Sequence, residues 1–172
     1  TLQYNGGNGN DVVLVAPGVA PTTTVELVSG NAVIADIAPA GKDDQLVVSR
    51  TPAGNLRVHD PVNGILALAG AAQIDDHTAE IPLANITGFI RVDALGGNDT
   101  LTVDFSGGNL LPDGGLEYFG NAPTDDDVLV IANGNFTTVT HDMSSSLGGD
   151  LDLAGFGTID YIFVDQRVEM VN

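Results

Sequence analysis

Residues 96–103 read GGNDTLTV, and this stretch decides the fold class. Two glycines and an Asn-Asp pair form a turn signal, and the residues after Asp99 alternate threonine with Leu101 and Val103. Gly, Asn and Asp are typical of tight turns, whereas alternating threonine and aliphatic residues predict a strand with one buried face. The stretch therefore predicts a turn that leads directly into a β-strand.

The same phrase, a turn ending in Asp that opens an aliphatic strand, recurs along the chain. Its other copies are GKDDQLVV at residues 41–48, TDDDVLVI at 124–131 and, more weakly, GGDLDL at 148–153. Asp99 and Asp127 are 28 positions apart, and Asp44 precedes Asp99 by 55, close to two such steps. The weaker copy places Asp152 25 positions after Asp127. Such a period is typical of stacked supersecondary units. We expect a short parallel β-helix or β-solenoid, with a β-sandwich of stacked hairpins as the alternative.

The overall composition agrees with an all-β protein and excludes several classes of partner. The chain has 172 residues, 43% of them hydrophobic, and 22 glycines. No window keeps a 3.6-residue apolar period long enough to predict a substantial helix. The net charge of −18, from 23 acids against 5 bases, repels phosphate backbones and anionic lipid surfaces, so we expect no nucleic-acid partner. No apolar run is long enough to span a bilayer, so we expect no membrane insertion.

Three regions follow from the positions of turns and prolines. Residues 1–15 read as two short strands around a Gly/Asn turn, an orphan strand segment that ends a preceding repeat or serves in assembly. Residues 16–24 are rich in Pro and Thr and predict an extended linker. Residues 25–172 form the predicted solenoid-like domain.

The acidic turns suggest calcium. All but four of the acids are Asp, the short carboxylate favoured in turns and as a ligand of hard cations. Residues 6–14, GGNGNDVVL, satisfy the nonapeptide GGxGxDxUx that binds calcium in RTX β-rolls. The alternative is a turn whose carboxylate hydrogen-bonds its own backbone. Adjacent carboxylates at 125–127 repel one another without a counterion, which favours the ion there. The candidate Ca²⁺ ligands are Asp11, Asp43, Asp44, Asp99, Asp125, Asp126 and Asp127.

Two passages resemble known repeats. Residues 4–14, YNGGNGNDVVL, resemble the closing strand of autotransporter-associated β-strand repeats. Residues 95–121, LGGNDTLTVDFSGGNLLPDGGLEYFGN, are similar to a β-solenoid repeat of large, planctomycete-like bacterial secreted and surface proteins, and FTTVTH at 136–141 fits a later element of that repeat. The resemblance implies an extracellular, cell-surface protein of many repeats and no particular activity.

These features predict a non-enzymatic structural or adhesive module, such as a filament or adhesin segment. The chain lacks a GxSxG elbow and cysteine, and its five bases are poor provision for cleaving acidic polysaccharides. We expect self-association, by β-strand addition, or contact with neighbouring repeats of a longer protein. The alternative is a carbohydrate-binding module of a secreted polysaccharide-degrading protein. Its sugar platform would need an exposed ring, and Tyr118 and Phe119 point to opposite faces if they lie in a strand.

Overall fold

The computed structural model describes residues 18, 20–37, 42–121, 125–145, 148–162, 164 and 167–171. Asp11 and the strands expected in residues 1–15 lie outside the described residues. None of the described segments forms a helix long and apolar enough to cross a membrane. Apart from a 3₁₀ turn at Leu83–Asn85, the regular structure consists of strands β1 (Pro21–Val28), β2 (Asn31–Asp36), β3 (Gln45–Arg50), β4 (Asn55–His59), β5 (Gly64–Ala67), β6 (Ala72–Asp75), β7 (Thr78–Pro82), β8 (Ile90–Asp93), β9 (Thr100–Asp104), β10 (Leu116–Phe119), β11 (Val128–Ala132), β12 (Val139–Ser145), β13 (Gly148–Leu153), β14 (Gly157–Ile162) and β15 (Arg167–Val171).

The strands form two mixed sheets, which confirms the all-β prediction. The eight-stranded sheet has the order β12-β13-β14-β10-β8-β2-β1-β5, and the seven-stranded sheet has the order β15-β11-β9-β3-β4-β7-β6. Among the described strands neither sheet closes into a barrel. The layered arrangement is compatible with a β-sandwich.

Four parallel neighbours form the middle of the eight-stranded sheet and one end of the seven-stranded sheet. In the eight-stranded sheet β2, β8, β10 and β14 are parallel neighbours, and in the seven-stranded sheet β3, β9, β11 and β15 are parallel neighbours. Four chain segments thus contribute one strand to each sheet: β2–β3, β8–β9, β10–β11 and β14–β15. Each such level is called a rung below.

Antiparallel strands are added around the rungs. Strands β4, β7 and β6 extend the seven-stranded sheet beyond the first rung. The weak fourth copy of the sequence phrase, residues 148–153, is β13, which pairs antiparallel with β12 and β14. It is therefore no rung, and the parallel partner of β11 is β15, where Val128 faces Arg167. Pairing β12, β13 and β14 in sequence order requires only short loops, whose closure costs little entropy. This local pairing therefore competes well with a fourth rung that begins at an Asp-led turn.

The predicted linker also differs from the structure. Residues 21–24 belong to β1, which pairs with β2 and β5. Thr23 is fully buried. A Thr-rich run suits a strand as well as an extended linker, because threonine is β-branched, and tertiary pairing decides between the two.

One hydrophobic core lies between the sheets. Leu46, Leu101 and Leu129 face one another across β3, β9 and β11, and all three are buried. On the opposite sheet Val92 and Tyr118 share a register position and are also buried. Because side chains alternate along each strand, the residues at the same parity as these leucines all point inward.

Candidate functional site

Three aspartates stand at the first inward position of successive rungs. Asp44, Asp99 and Asp127 come directly before β3, β9 and β11, at the same parity as the buried leucines of those strands. Their exposed fractions are 1%, 1% and 0%. The sequence spacings of 55 and 28 therefore bring equivalent residues into one column, which we call the inner ladder. Buried Asp at this frequency is unusual and needs a chemical explanation.

Each rung of the inner ladder is tied to the next by a carboxylate. The backbone N–H of Asp44 donates to Asp99 Oδ1 at 2.7 Å, and the backbone N–H of Asp99 donates to Asp127 Oδ1 at 2.9 Å. Both bonds are buried, and a hydrogen bond is stronger in a low-dielectric interior than in water. The ladder thus joins rungs in addition to the strand–strand hydrogen bonds.

A second, more exposed row runs alongside in the turns themselves, and we call it the outer turns. The N–H of Asn98 donates to Asp43 Oδ1 at 2.8 Å, and the N–H of Asp126 donates to Asn98 Oδ1 at 2.9 Å. The N–H of Gly97 donates to Asp125 Oδ2 at 3.0 Å. The Asp43 and Asp125 carboxylates and the Asn98 amide oxygen thus accept hydrogen bonds from a neighbouring rung.

At the first rung, the side chains of Asn63 and Lys42 bind the Asp44 carboxylate. Asn63 Nδ2 donates to Asp44 Oδ1 at 2.8 Å and to the Asp43 carbonyl oxygen at 2.9 Å. Lys42 Nζ lies 2.5 Å from the same Asp44 oxygen and 3.9 Å from Asp36 Oδ1. Asp44 Oδ1 therefore receives two donors.

Two other oxygens of the inner ladder and one hydroxyl of the opposite sheet are less well satisfied. Asp44 Oδ2, Asp99 Oδ2 and the Tyr118 hydroxyl are buried, and within the described part of the chain no hydrogen-bond partner reaches them. Burial raises the pKa of Asp99 to about 7, the charges of Asp127 and Asp44 add to that rise, and the bond from the Asp44 N–H opposes it.

The pKa values of the neighbouring groups move in the same direction. Burial raises the pKa of Asp44, although Lys42 works against the rise. Burial also raises the pKa of the Tyr118 hydroxyl, and the charges of Asp127, Asp99 and Asp44 raise it further. The Tyr118 hydroxyl is thus within electrostatic reach of all three ladder carboxylates.

The structure gathers six of the predicted calcium ligands at one edge, but it does not arrange them as a ready-made calcium cage. Within the described ranges, no group of three or more His, Asp or Glu side chains is placed to hold one metal ion. The adjacent acids of residues 125–127 diverge: Asp125 is half-buried, Asp126 is exposed and Asp127 is fully buried. Although these three acids are adjacent in sequence, their side chains do not share one environment. The outer turns resemble hydrogen-bonded corners more than ion sites.

The predicted sugar platform has a mixed outcome. Tyr118 and Phe119 do point to opposite faces of β10, but Tyr118 is the buried ring, at 1% exposed. Phe119 lines an open cleft on the outer face with Glu117 and Asp160, and the Arg91 guanidinium lies 4.2 Å from the centroid of its ring. Because a cation already covers that ring, it offers little flat surface to a sugar.

No protein-family model, curated protein or solved structure matches the chain. The chemistry of the ladder is therefore the basis on which a function is inferred. The periodicity of the sequence and its excess of Asp indicated which residues form the inner ladder. The inward direction of these side chains had a signal in the alternation, because each Asp lies two positions before a leucine of the apolar face. The role of Tyr118 had none, because Tyr118 belongs to the opposite sheet.

Gly97 tests how closely the rungs approach. Its φ is +134°, and an added Cβ would lie 2.2 Å from the Lys42 carbonyl oxygen. We expect Gly97→Ala to lower the free energy of unfolding by more than about 2 kcal/mol, from backbone strain plus a clash with the backbone of the next rung. Urea unfolding followed by circular dichroism measures this.

Gly108→Ala is the matched control. Gly108 has φ +93°, and no atom lies within 4 Å of its added Cβ. It should cost only about 1 kcal/mol, from conformation alone. Equal losses at Gly97 and Gly108 would contradict the close contact between rungs.

Proposed function

We propose that this chain is a non-enzymatic structural module, a short β-solenoid segment of an extracellular bacterial surface protein or filament. The observation that carries the proposal is the repeated register. Three successive rungs meet in parallel, and the same carboxylate-to-backbone bond recurs between them. A stack in which the same contact repeats between its first three rungs can be lengthened there without redesign, which is what a spacer or stalk requires.

Two further features support a structural role. The net charge of −18 with few bases suits a solvated surface and offers little for binding nucleic acid. Among the described strands, β12 is an edge strand of one sheet and β15 is an edge strand of the other, both on the side of the last rung. A neighbouring repeat or a second copy can add a strand there. The extracellular location rests on the resemblance of residues 4–14 and 95–121 to surface-protein repeats.

Duplicating a rung tests the proposal. A second copy of residues 99–126, inserted between Asp126 and Asp127, matches the 28-residue spacing of the ladder. We expect the longer chain to fold with the same strand content per residue and to melt within a few degrees of the parent. Its long dimension in small-angle scattering should grow by about 4.8 Å, one strand spacing.

The matched control inserts the same 28 residues in scrambled order. That chain has the same length and composition but cannot place Asp and aliphatic residues in register, so it should lose cooperative melting. If the ordered and scrambled insertions behave alike, the rungs are not interchangeable units and the solenoid proposal is wrong.

A further inference from the structure

The inward side of the inner ladder contains three buried oxygens whose bonding is incomplete. Asp44 Oδ2, Asp99 Oδ2 and the Tyr118 hydroxyl lack a hydrogen-bond partner in the described part of the chain, and each of these residues is 1% exposed. Burying an oxygen without a partner is costly, and burying a carboxylate without compensation costs more. Asp44 and Asp99 stand on neighbouring rungs of one sheet, and Tyr118 lies in the opposite sheet within electrostatic reach of both carboxylates. Together the three oxygens indicate a missing ligand.

The local charge indicates that the ligand is a cation. Asp36, Asp60 and Asp127 also contribute to or flank the ladder, and all are buried. Lys42 contacts Asp44 and Asp36, and one ammonium group cannot neutralise the whole column. Three arginines are committed elsewhere: Arg50 donates to the Asn109 carbonyl, Arg57 pairs with Glu80 and Arg91 pairs with Asp93.

The rung spacing selects the size of that cation. Equivalent atoms on neighbouring strands are about 4.7–4.9 Å apart. Calcium binds oxygen at about 2.3–2.6 Å, so an ion midway between equivalent oxygens of two rungs reaches both. Magnesium requires about 2.0–2.1 Å and gives up its water reluctantly, so it fits this gap poorly.

We propose that one calcium-class divalent cation binds inside the protein between Asp44 and Asp99, with the Tyr118 hydroxyl as a third ligand. The site has two carboxylates and a phenol, which agrees with the finding that no three acidic or histidine side chains of the described residues surround one point. It differs from the outer turns, whose Asp43 and Asp125 oxygens already accept backbone N–H groups.

Binding there would join two rungs of one sheet to the opposite sheet. Asp44 and Asp99 belong to the seven-stranded sheet, whereas Tyr118 lies in β10 of the eight-stranded sheet. The inference needs only this register and these side chains, so it does not depend on the proposed scaffold function.

Metal retention after refolding provides the experiment. The 172-residue chain is unfolded in urea with a chelator, refolded with either calcium or chelator, passed through gel filtration and analysed for metal and melting temperature. We expect the calcium-refolded protein to keep one calcium per chain and to melt at a higher temperature, because an ion that binds only the folded form stabilises it.

Three variants locate the site. Asp99→Asn keeps an oxygen for the Asp44 N–H but removes the charge, and it should lose the retained calcium and the rise in melting temperature. Tyr118→Phe removes only the hydroxyl and should weaken calcium binding about tenfold, the loss of one ligand worth ~1.4 kcal/mol. Asp43→Asn, in the outer turns, should retain calcium like the parent.

Two outcomes would overturn the proposal. In one, the parent keeps no calcium and melts identically in both buffers. In the other, Asp43→Asn loses calcium as completely as Asp99→Asn does, which would move the site to the outer turns. If Asp99→Asn does not fold, unchanged affinity in Tyr118→Phe rejects the proposed ligand set. The rung-duplication result is independent of all these outcomes, so failure here leaves the scaffold proposal standing.

Discussion

In buffer free of divalent ions, the free energy of unfolding should fall by about 4 kcal/mol as the pH rises from 4 to 8.5. The cause is Asp99, whose carboxyl group is buried beside Asp127 and Asp44 and has a pKa of about 7 instead of 3.8. Between those two values the folded protein holds a proton that the unfolded chain has released. Folding is therefore favoured at the lower pH, and the advantage disappears as the pH passes 7.

Other groups set the limits of this pH window. Asp44 also has a raised pKa, chiefly through burial, so it adds to the loss of stability at higher pH. The pKa of Glu80 is lowered, first by the hydrogen bond from Asn55, and that of Asp75 is lowered by the backbone N–H of His77. Groups with lowered pKa values lose their stabilising effect as the pH falls below their unfolded values, so stability should peak near pH 4–5 and decline on both sides.

Urea unfolding at half-unit pH steps measures the effect, with Asp99→Asn as the control. Asparagine cannot ionise, so the variant should keep most of its stability at pH 8.5 and show a much flatter profile between pH 4 and 8.5. A parent protein that becomes more stable from pH 5 to 8 would contradict a raised pKa of Asp99 in the folded state. Added calcium should flatten the parent's profile if the cation takes the place of the proton.

Leu101→Ala should lower the free energy of unfolding by about 3–4 kcal/mol. Leu101 is fully buried and lies between Leu46 and Leu129 in the column that follows the inner ladder inward. Truncation removes apolar contacts with the leucines on both sides and leaves a cavity. The neighbouring strands β3 and β11 are held in the sheet, so they have little freedom to move in and fill it. Chemical denaturation of the two proteins at pH 5 gives the difference.

The control for this substitution is Leu68→Ala. Leu68 is 40% exposed near the edge strand β5, so the same truncation there should cost less than about 1 kcal/mol. A loss at Leu101 no greater than that at Leu68 would indicate that the centre of the core is loosely packed.

The sequence by itself determined the β class and the equivalence of three turns. Short aliphatic runs after Gly-Asp corners are local signals, and the repeat of Asp44, Asp99 and Asp127 is visible as spacing alone. Local turn chemistry acts within a few residues, so it can be inferred without a partner strand. The same reasoning failed at residues 148–153, where a Gly-Asp turn signal lies in an antiparallel hairpin, and at residues 21–24, where a Thr-rich run joins a sheet.

Only the tertiary structure decided what the carboxylates meet. The Asp44–Asp99 bond spans 55 residues and the Asp99–Asp127 bond spans 28, with β4 to β7 inserted between the first two rungs. Parity places each Asp on the aliphatic face of its strand, but what packs against that face depends on the second sheet, which supplies Tyr118. Packing of one sheet against the other turned a row of acidic turns into a buried column, and desolvation in that column gives the carboxylates their raised pKa values and their proposed affinity for a cation.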